Sequence, residues 1–270
     1  MNIVENLSRW MHLVFGILWI GHLYYFNFVQ AGFEGKLSAD QKKFVIPENR
    51  PRALYWFRWG AMWTWVTGVL LVGFNYHMAK SNFGARGEVM GIEVPVNPSP
   101  LAMSLVLIPV FLFFAYDFVA KKVGGGAMTI PSLVVNLVLG VGFVALAHFV
   151  AKIGGRALWI HTGILFGTTM MMNVWMRIWP AQRRIIAAIK AGTAPDAADV
   201  GLAGARSRHN TYMSVPLMMF MLAQHSDGTY NLLIGSLGSN SPLVMVIAVS
   251  ALGFFVANIL YKKAGQLTGF

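Results

Sequence analysis

The sequence predicts an all-α fold: a polytopic membrane helical bundle of about seven transmembrane helices, oriented N-out and C-in. Three observations predict it. The 270 residues are 56% hydrophobic and only 11% charged, whereas a soluble domain carries about 25% charged residues. The apolar residues gather in runs close to the roughly 20 that a helix needs to cross a hydrocarbon core, and the mean hydropathy is +0.58. Lys and Arg number 21 against 10 Asp and Glu, a net charge of +11. Those cations sit in short segments between the apolar runs, a pattern of membranes rather than of nucleic-acid binding. Lipid is therefore an expected partner and nucleic acid is not.

The elements follow in order. The first ten residues lack a basic region leading into a short apolar core and a small-residue cleavage site, so no removable signal peptide is expected and the first helix does the targeting. Scanning with a spanning length gives runs at about 10–33, 53–78, 100–120, 130–151, 157–178, 210–225 and 242–261. The sixth is short and carries Pro216, which a membrane helix tolerates when its neighbours satisfy the freed carbonyl. The stretch after it, NLLIGSLG, is too short to span and reads as a surface or re-entrant piece.

The connectors fix the expected orientation. With the N-terminus outside, one side holds Lys36, Lys42, Lys43, Arg50, Arg52, Arg58, Lys121, Lys122, Arg177, Arg183, Arg184, Lys190, Arg206, Arg208, Lys262 and Lys263. The other keeps only Arg9, Lys80, Arg86, Lys152 and Arg156. The richer side is the cytoplasm by the positive-inside rule, so the chain is expected in a bacterial inner membrane as a multi-pass protein. No low-complexity linker or repeat divides it, and residues 1–270 read as a single integral membrane domain. The longest connector, near 180–208, contains QRRIIAAIKAG, a basic amphipathic segment expected to lie on the cytoplasmic lipid surface.

Cysteine is absent. That removes disulfides, thiolate metal ligands, iron–sulfur clusters and covalently attached c-type haem. Histidine and Met remain. On this topology His12, His77, His148, His161 and His225 come from five different helices and share the outer membrane level. A histidine at one helix end is ordinarily an interfacial polar group, but ionisable groups in a membrane are costly and mark functional sites. Neutral imidazole ligates haem iron, so a haem b held by a pair drawn from His12, His77, His148 and His161, with His225 a lesser candidate, competes with a metal-free polar cluster. Gly16 and Gly73, one turn deeper than His12 and His77, would give a tetrapyrrole room, though glycine also serves helix packing. His22, about 15 Å deeper than His12, is read as a pocket residue hydrogen-bonded to a neighbouring helix or a bound group. The Met runs at 170–172 and 218–221 read as packing, and an ion pair between Arg58 and Asp117 is expected to be structural.

The words WMHLVFGILWIGHLYYFNFVQ, PRALYWFRWGAMWTWVTGVLL and SRHNTYMSVPLMMFMLAQH resemble the membrane domain of the bacterial cytochrome-c-linked urate hydroxylases, the urate oxidase N-terminal domain. The resemblance runs in order over most of the chain. It implies a multispanning domain that serves the oxidation of urate to 5-hydroxyisourate, with electrons leaving through a C-terminal c-type cytochrome. This sequence has no CxxCH motif, so it departs from that pattern. Electrons would leave through a separate c-type cytochrome or another periplasmic electron-transfer subunit. The expectation is thus a membrane haem-binding electron-transfer protein, leaning to oxidoreductase, that passes electrons from a small reductant such as urate. The alternative is a non-catalytic haem-bearing or anchoring subunit of a larger respiratory complex. A transporter has less support, because no internal repeat or paired broken helices are seen. No catalytic residue follows from the sequence.

Overall fold

The computed structural model describes residues 3–78, 93, 95, 97–122, 129–223 and 241–267, and every regular element among them is a helix. α1 (Ile3–Tyr24) passes through a π turn (Tyr25–Gln30) into α2 (Ala31–Gly35). A capping box starts α3 (Ala39–Val72): Gln41 N donates to Ser38 Oγ at 3.3 Å and Ser38 N donates to Gln41 Oε1 at 2.8 Å. α3 ends in a second π turn, Gly73–Met78. Next come α4 (Pro100–Ser104), α5 (Ile108–Lys122) and α6 (Thr129–Ala145), the last closing in a π turn at Leu146–Val150. α7 (Gly155–Asn173) runs through a π turn (Val174–Ile178) directly into α8 (Trp179–Lys190), and α9 (Ala197–Ala223) and α10 (Ser241–Gln266) complete the chain.

The described parts of the apolar runs are mostly helical, and the run at about 100–120 is split between α4 and α5. By length and composition, three stretches among the described residues are apolar enough to cross a membrane: Ile3–Gly35, Leu133–Val150 and Pro242–Gln266. Of the others, α5 is only 15 residues long, and the rest are diluted by polar side chains. α3 begins with a charged half, and α7 and α9 carry Thr, Asn, His and Arg side chains that are buried against other helices. α7 is buried on nearly every side, from Gly155 to Asn173, and forms the centre of the bundle.

The helices alternate in direction. Arg9 bonds Asn75 and His12 bonds Thr64, so the start of α1 meets the end of α3. Tyr24 and Asn27, at the other end of α1, meet Ser214 and Ser207 of α9, and Asn27 also accepts from Tyr261 of α10. Glycine permits two tight crossings. A Cβ on Gly60 of α3 would sit 3.0 Å from Trp19 N and 3.3 Å from Phe15 O of α1, and one on Gly253 of α10 would sit 2.5 Å from Pro216 Cδ of α9.

The connector near 180–208 is mostly helix: α8 and α9 are separated only by residues 191–196. Part of the apolar face of α8 packs on protein, with Ala181 and Ile185 buried against Ala203 of α9. Arg184 clamps the pair, donating to Asp199 at 2.8 and 2.5 Å. The hydrogen bond from Arg184 holds the Asp199 carboxyl below its usual range, and the same bond raises Arg184.

Candidate functional site

The bundle gathers His12, His77, His148 and His161 at one end, while Arg177, Arg206 and Arg50 lie at the other. His12 stands on α1, and its Nδ1 bonds the Thr64 carbonyl at 2.9 Å and lies 3.2 Å from Thr67 Oγ1. His77 belongs to the π turn after α3. Tyr76 beside it packs edge-on against the His161 ring, with centroids 5.7 Å apart. His148 belongs to the π turn after α6 and is fully buried. A turn through Lys152 (φ 57°) and Gly155 (φ 55°) folds the chain back, so that His148 Nδ1 reaches the Ile153 carbonyl at 3.3 Å. π turns insert an extra residue and re-aim side chains, and two of these four histidines sit on one.

The donor chemistry is shared. His161 Nδ1 bonds the Ala157 carbonyl at 2.7 Å, and His22 Nδ1 bonds the Leu18 carbonyl at 2.7 Å. A carbonyl only accepts, so in His12, His22, His148 and His161 the proton is on Nδ1 and the lone pair on Nε2. That is the tautomer which presents Nε2 to a metal while the other nitrogen is held by the protein. Through Nδ1, His22 bonds its own helix one turn back, at the Leu18 carbonyl. His225 lies outside the described residues. Among the described residues, no three His, Asp or Glu side chains converge as a metal site.

Two cavities adjoin at His12. One, of about 540 Å³, is an apolar groove lined by Gly16, Ile17, Tyr24, Trp65, Met218 and others. Its polar side chains are engaged at its walls: Trp65 Nε1 donates to Thr168 Oγ1 at 3.1 Å, and Tyr24 shares a 2.9 Å bond with Ser214. Leu13, Ile17 and Leu222, all on its rim, are about two-thirds exposed, so the groove opens on the outer face of the bundle. The second cavity, of about 620 Å³, is a polar vestibule lined by Arg9, Asn75, Tyr76 and Arg156. Both share His12, Leu13, Gly68, Ile164, Met221 and Leu222. Gly68, which the sequence reading does not single out, is the glycine against which the His12 ring packs. A Cβ on Gly68 would lie 3.0 Å from His12 Cε1, and nothing lies within 4 Å of one on Gly73. Gly16 lines the groove.

The vestibule residues Arg9, Tyr76 and Arg156 and the supporting Gly68 were not singled out from sequence. Their only signal was that Arg9 and Arg156 belong to the small set of cations on the poorer side.

At the opposite end the buried polar residues form a network. Asp117 (4% exposed) accepts from Arg177 at 2.8 and 2.5 Å, from Arg206 at 2.8 Å and from Lys121 at 2.9 Å. The neighbouring Tyr116 hydroxyl lies 2.7 Å from His209 Nδ1 and accepts from Asn173, which also donates to Asn210 at 2.9 Å. Arg58 is therefore not the partner of Asp117. Its guanidinium lies 4.0 Å from the Trp179 ring and within 6 Å of Trp59 and Trp175. A further cavity of about 720 Å³ at this end contains Glu34 bound to Arg50, with Gln30 donating to Glu34 at 2.5 Å.

The family model described as urate oxidase N-terminal matches residues 33–267. No curated protein and no solved structure matches the chain. The match takes in both ends of the bundle and every helix from α3 onward. The chain belongs to the urate oxidase N-terminal family.

Proposed function

We propose that this protein is a membrane electron-transfer domain that takes electrons from a small reductant, urate being the substrate the family name suggests, and passes them to a separate c-type cytochrome. In this reading it crosses the bacterial inner membrane seven times, N-out and C-in, with the histidine end facing the periplasm. The observation that carries the proposal is the set of histidines at one end, with Nδ1 of His12, His148 and His161 fixed on backbone carbonyls. A haem b would be held by two of His12, His77, His148 and His161 and would supply one-electron chemistry. The donor set fits such a group, because an imidazole that donates from Nδ1 to a carbonyl has its basic nitrogen at Nε2, the kind of atom that ligates iron.

The chain's own residues supply the rest. Burial of His148 and His161 excludes water from their rings, and their carbonyl bonds fix ring orientation. Thr64 and Thr67 hold His12 where the groove meets the vestibule. With no cysteine among these 270 residues to hold a c-type haem covalently, this domain is read as passing its electrons to a c-type cytochrome outside it. If urate drives no reduction, the chain serves instead as a haem-bearing subunit of a larger complex.

The test is a reduced-minus-oxidised spectrum of protein purified in mild detergent, with each histidine replaced by Ala in turn. Loss of a low-spin haem spectrum in two of the four variants is the expected result. Preparations with native partners bound and no haem in this chain would refute the proposal. Urate-dependent reduction, with and without those partners, separates the catalytic reading from the subunit one.

A further inference from the structure

At the end of the bundle opposite the histidines, two arginines share one indole ring. Arg58 of α3 lies with its guanidinium carbon 4.0 Å from the centroid of Trp179, and Arg183, one turn along α8 from that Trp, lies 5.9 Å from the same ring. The setting is well braced. Trp175, in the π turn before α8, donates from Nε1 to the Arg58 carbonyl at 3.1 Å and stands edge-on to Trp59, with centroids 5.3 Å apart. Arg58 thus has aromatic faces around it but no acceptor: its buried Nε makes no hydrogen bond, and among the described residues neither arginine has a carboxylate partner. Glu34, Glu48, Asp117 and Asp199, carboxylates of this end, are bound by Arg50, Arg52, Arg177 and Arg184 instead. An indole face attracts a guanidinium without neutralising it, and a buried N–H left without an acceptor is destabilising.

The surroundings name the ligand. Tyr55 and Trp56, which precede Arg58 in α3, are 48% and 52% exposed, and such aromatic rings on a spanning helix settle at the headgroup level of a bilayer. A guanidinium held among them sits at the depth of lipid phosphates. Arginine grips phosphate through paired, charge-assisted N–H···O bonds and is weakly hydrated, whereas an ammonium group holds its water. Beside Arg183 a shallow recess of about 370 Å³, lined also by Pro180, Arg184 and Ala187, has room for a headgroup. We propose that Arg58, Arg183 and Trp179 form a binding site for the phosphate of an anionic phospholipid. A zwitterionic lipid brings its own cation and would leave the arginine pair without net counter-charge, so an anionic headgroup is selected. In the orientation proposed above, the site faces the cytoplasmic leaflet, where anionic lipids set a negative surface potential. It uses none of the histidines, so it goes beyond the electron-transfer reading and does not depend on it.

The experiment uses the full chain in mild detergent. Phosphatidylglycerol and phosphatidylcholine with the same acyl chains are titrated in, and bound lipid is counted by native mass spectrometry; inorganic phosphate is the third probe. The parent should hold phosphatidylglycerol in preference to phosphatidylcholine. Arg58→Gln and Arg183→Gln should each weaken that binding about tenfold, as loss of a charge-assisted hydrogen bond predicts. Arg58→Lys should lose nearly as much, because Lys keeps the charge but neither the paired donors nor the stacking on Trp179. Arg52→Gln, an exposed arginine already bound to Glu48, should change nothing. Arg183 is exposed on α8, so its variant keeps the test decisive if Arg58→Gln misfolds, and circular dichroism checks the fold of each. The inference is overturned if the two lipids bind equally, if both Gln variants hold phosphatidylglycerol as tightly as the parent, or if inorganic phosphate binds as tightly as that lipid, which would make this a site for free phosphate.

Discussion

Replacing Asp117 by Asn removes one negative charge from a site that holds three cations. Lys121 (54% exposed side chain) can turn to water, and Arg177 (20%) can do so in part. Arg206 cannot, because its side chain is 2% exposed. Its short bond is the one to Asp117 Oδ1 at 2.8 Å; its contacts with Asp117 O and Asn173 Oδ1 are 3.4 Å. The variant thus loses a charge-assisted hydrogen bond and leaves a buried guanidinium against a neutral amide. Breaking a buried pair from one side costs about 3–5 kcal/mol, a factor of at least a hundred in the folding equilibrium at about 1.4 kcal/mol per decade. The assay is denaturant or heat unfolding in a fixed detergent, read as a double-mutant cycle with Arg206→Met. Asp117→Asn should be strongly destabilised, and the double variant should recover part of the loss, because no buried charge is then left alone. An Asp117→Asn protein as stable as the parent would refute the reasoning. So would strictly additive effects in the cycle, since they would mean the two groups are not coupled.

Gly253→Ala should destabilise the α9/α10 crossing by about 1–3 kcal/mol, since the new methyl meets the Pro216 ring and backbone nitrogen, which cannot turn aside; the same substitution at Gly265, with nothing within 4 Å, is the matched control in a melting experiment. The Arg184–Asp199 clamp should weaken in acid. The folded pKa of Asp199 is depressed, so its contribution is complete above the unfolded carboxylate value of about 4 and is lost as pH falls through the lower folded one. Proteolysis of the 191–196 turn as a function of pH should report this, and Asp199→Asn should abolish that part of the pH dependence. The orientation can be tested with a single cysteine at Ala39, next to the capping Ser38 rather than on it. Labelling from the cytoplasmic side is expected, and labelling from the periplasmic side would reverse the topology.

Composition and periodicity determined that this chain is a helical bundle suited to lipid. Long continuous apolar runs, rather than the alternation of a barrel strand, point to helices, whose backbone hydrogen bonds are all internal. The level of the histidines was also legible, because alternating helix direction follows from counting runs and His12, His77, His148 and His161 each stand at a run's end. Residue words even carried the family, since long aromatic-rich segments are specific where hydrophobicity is not. Pairing across helices was not legible. Asp117 could have met Arg58, Arg177 or Arg206, all near the same level, and only the packing of α5 between α6 and α7 brings Arg177 and Arg206 to it while Arg58 turns to Trp179. The role of Gly68 was hidden for the same reason: its value lies in the His12 ring of another helix. Sequence spacing records the angle of a side chain about its own helix, whereas a site is made where the faces of several helices meet. The azimuth of each helix in the bundle is set by the summed packing of all of them, and that sum exists only in the folded structure.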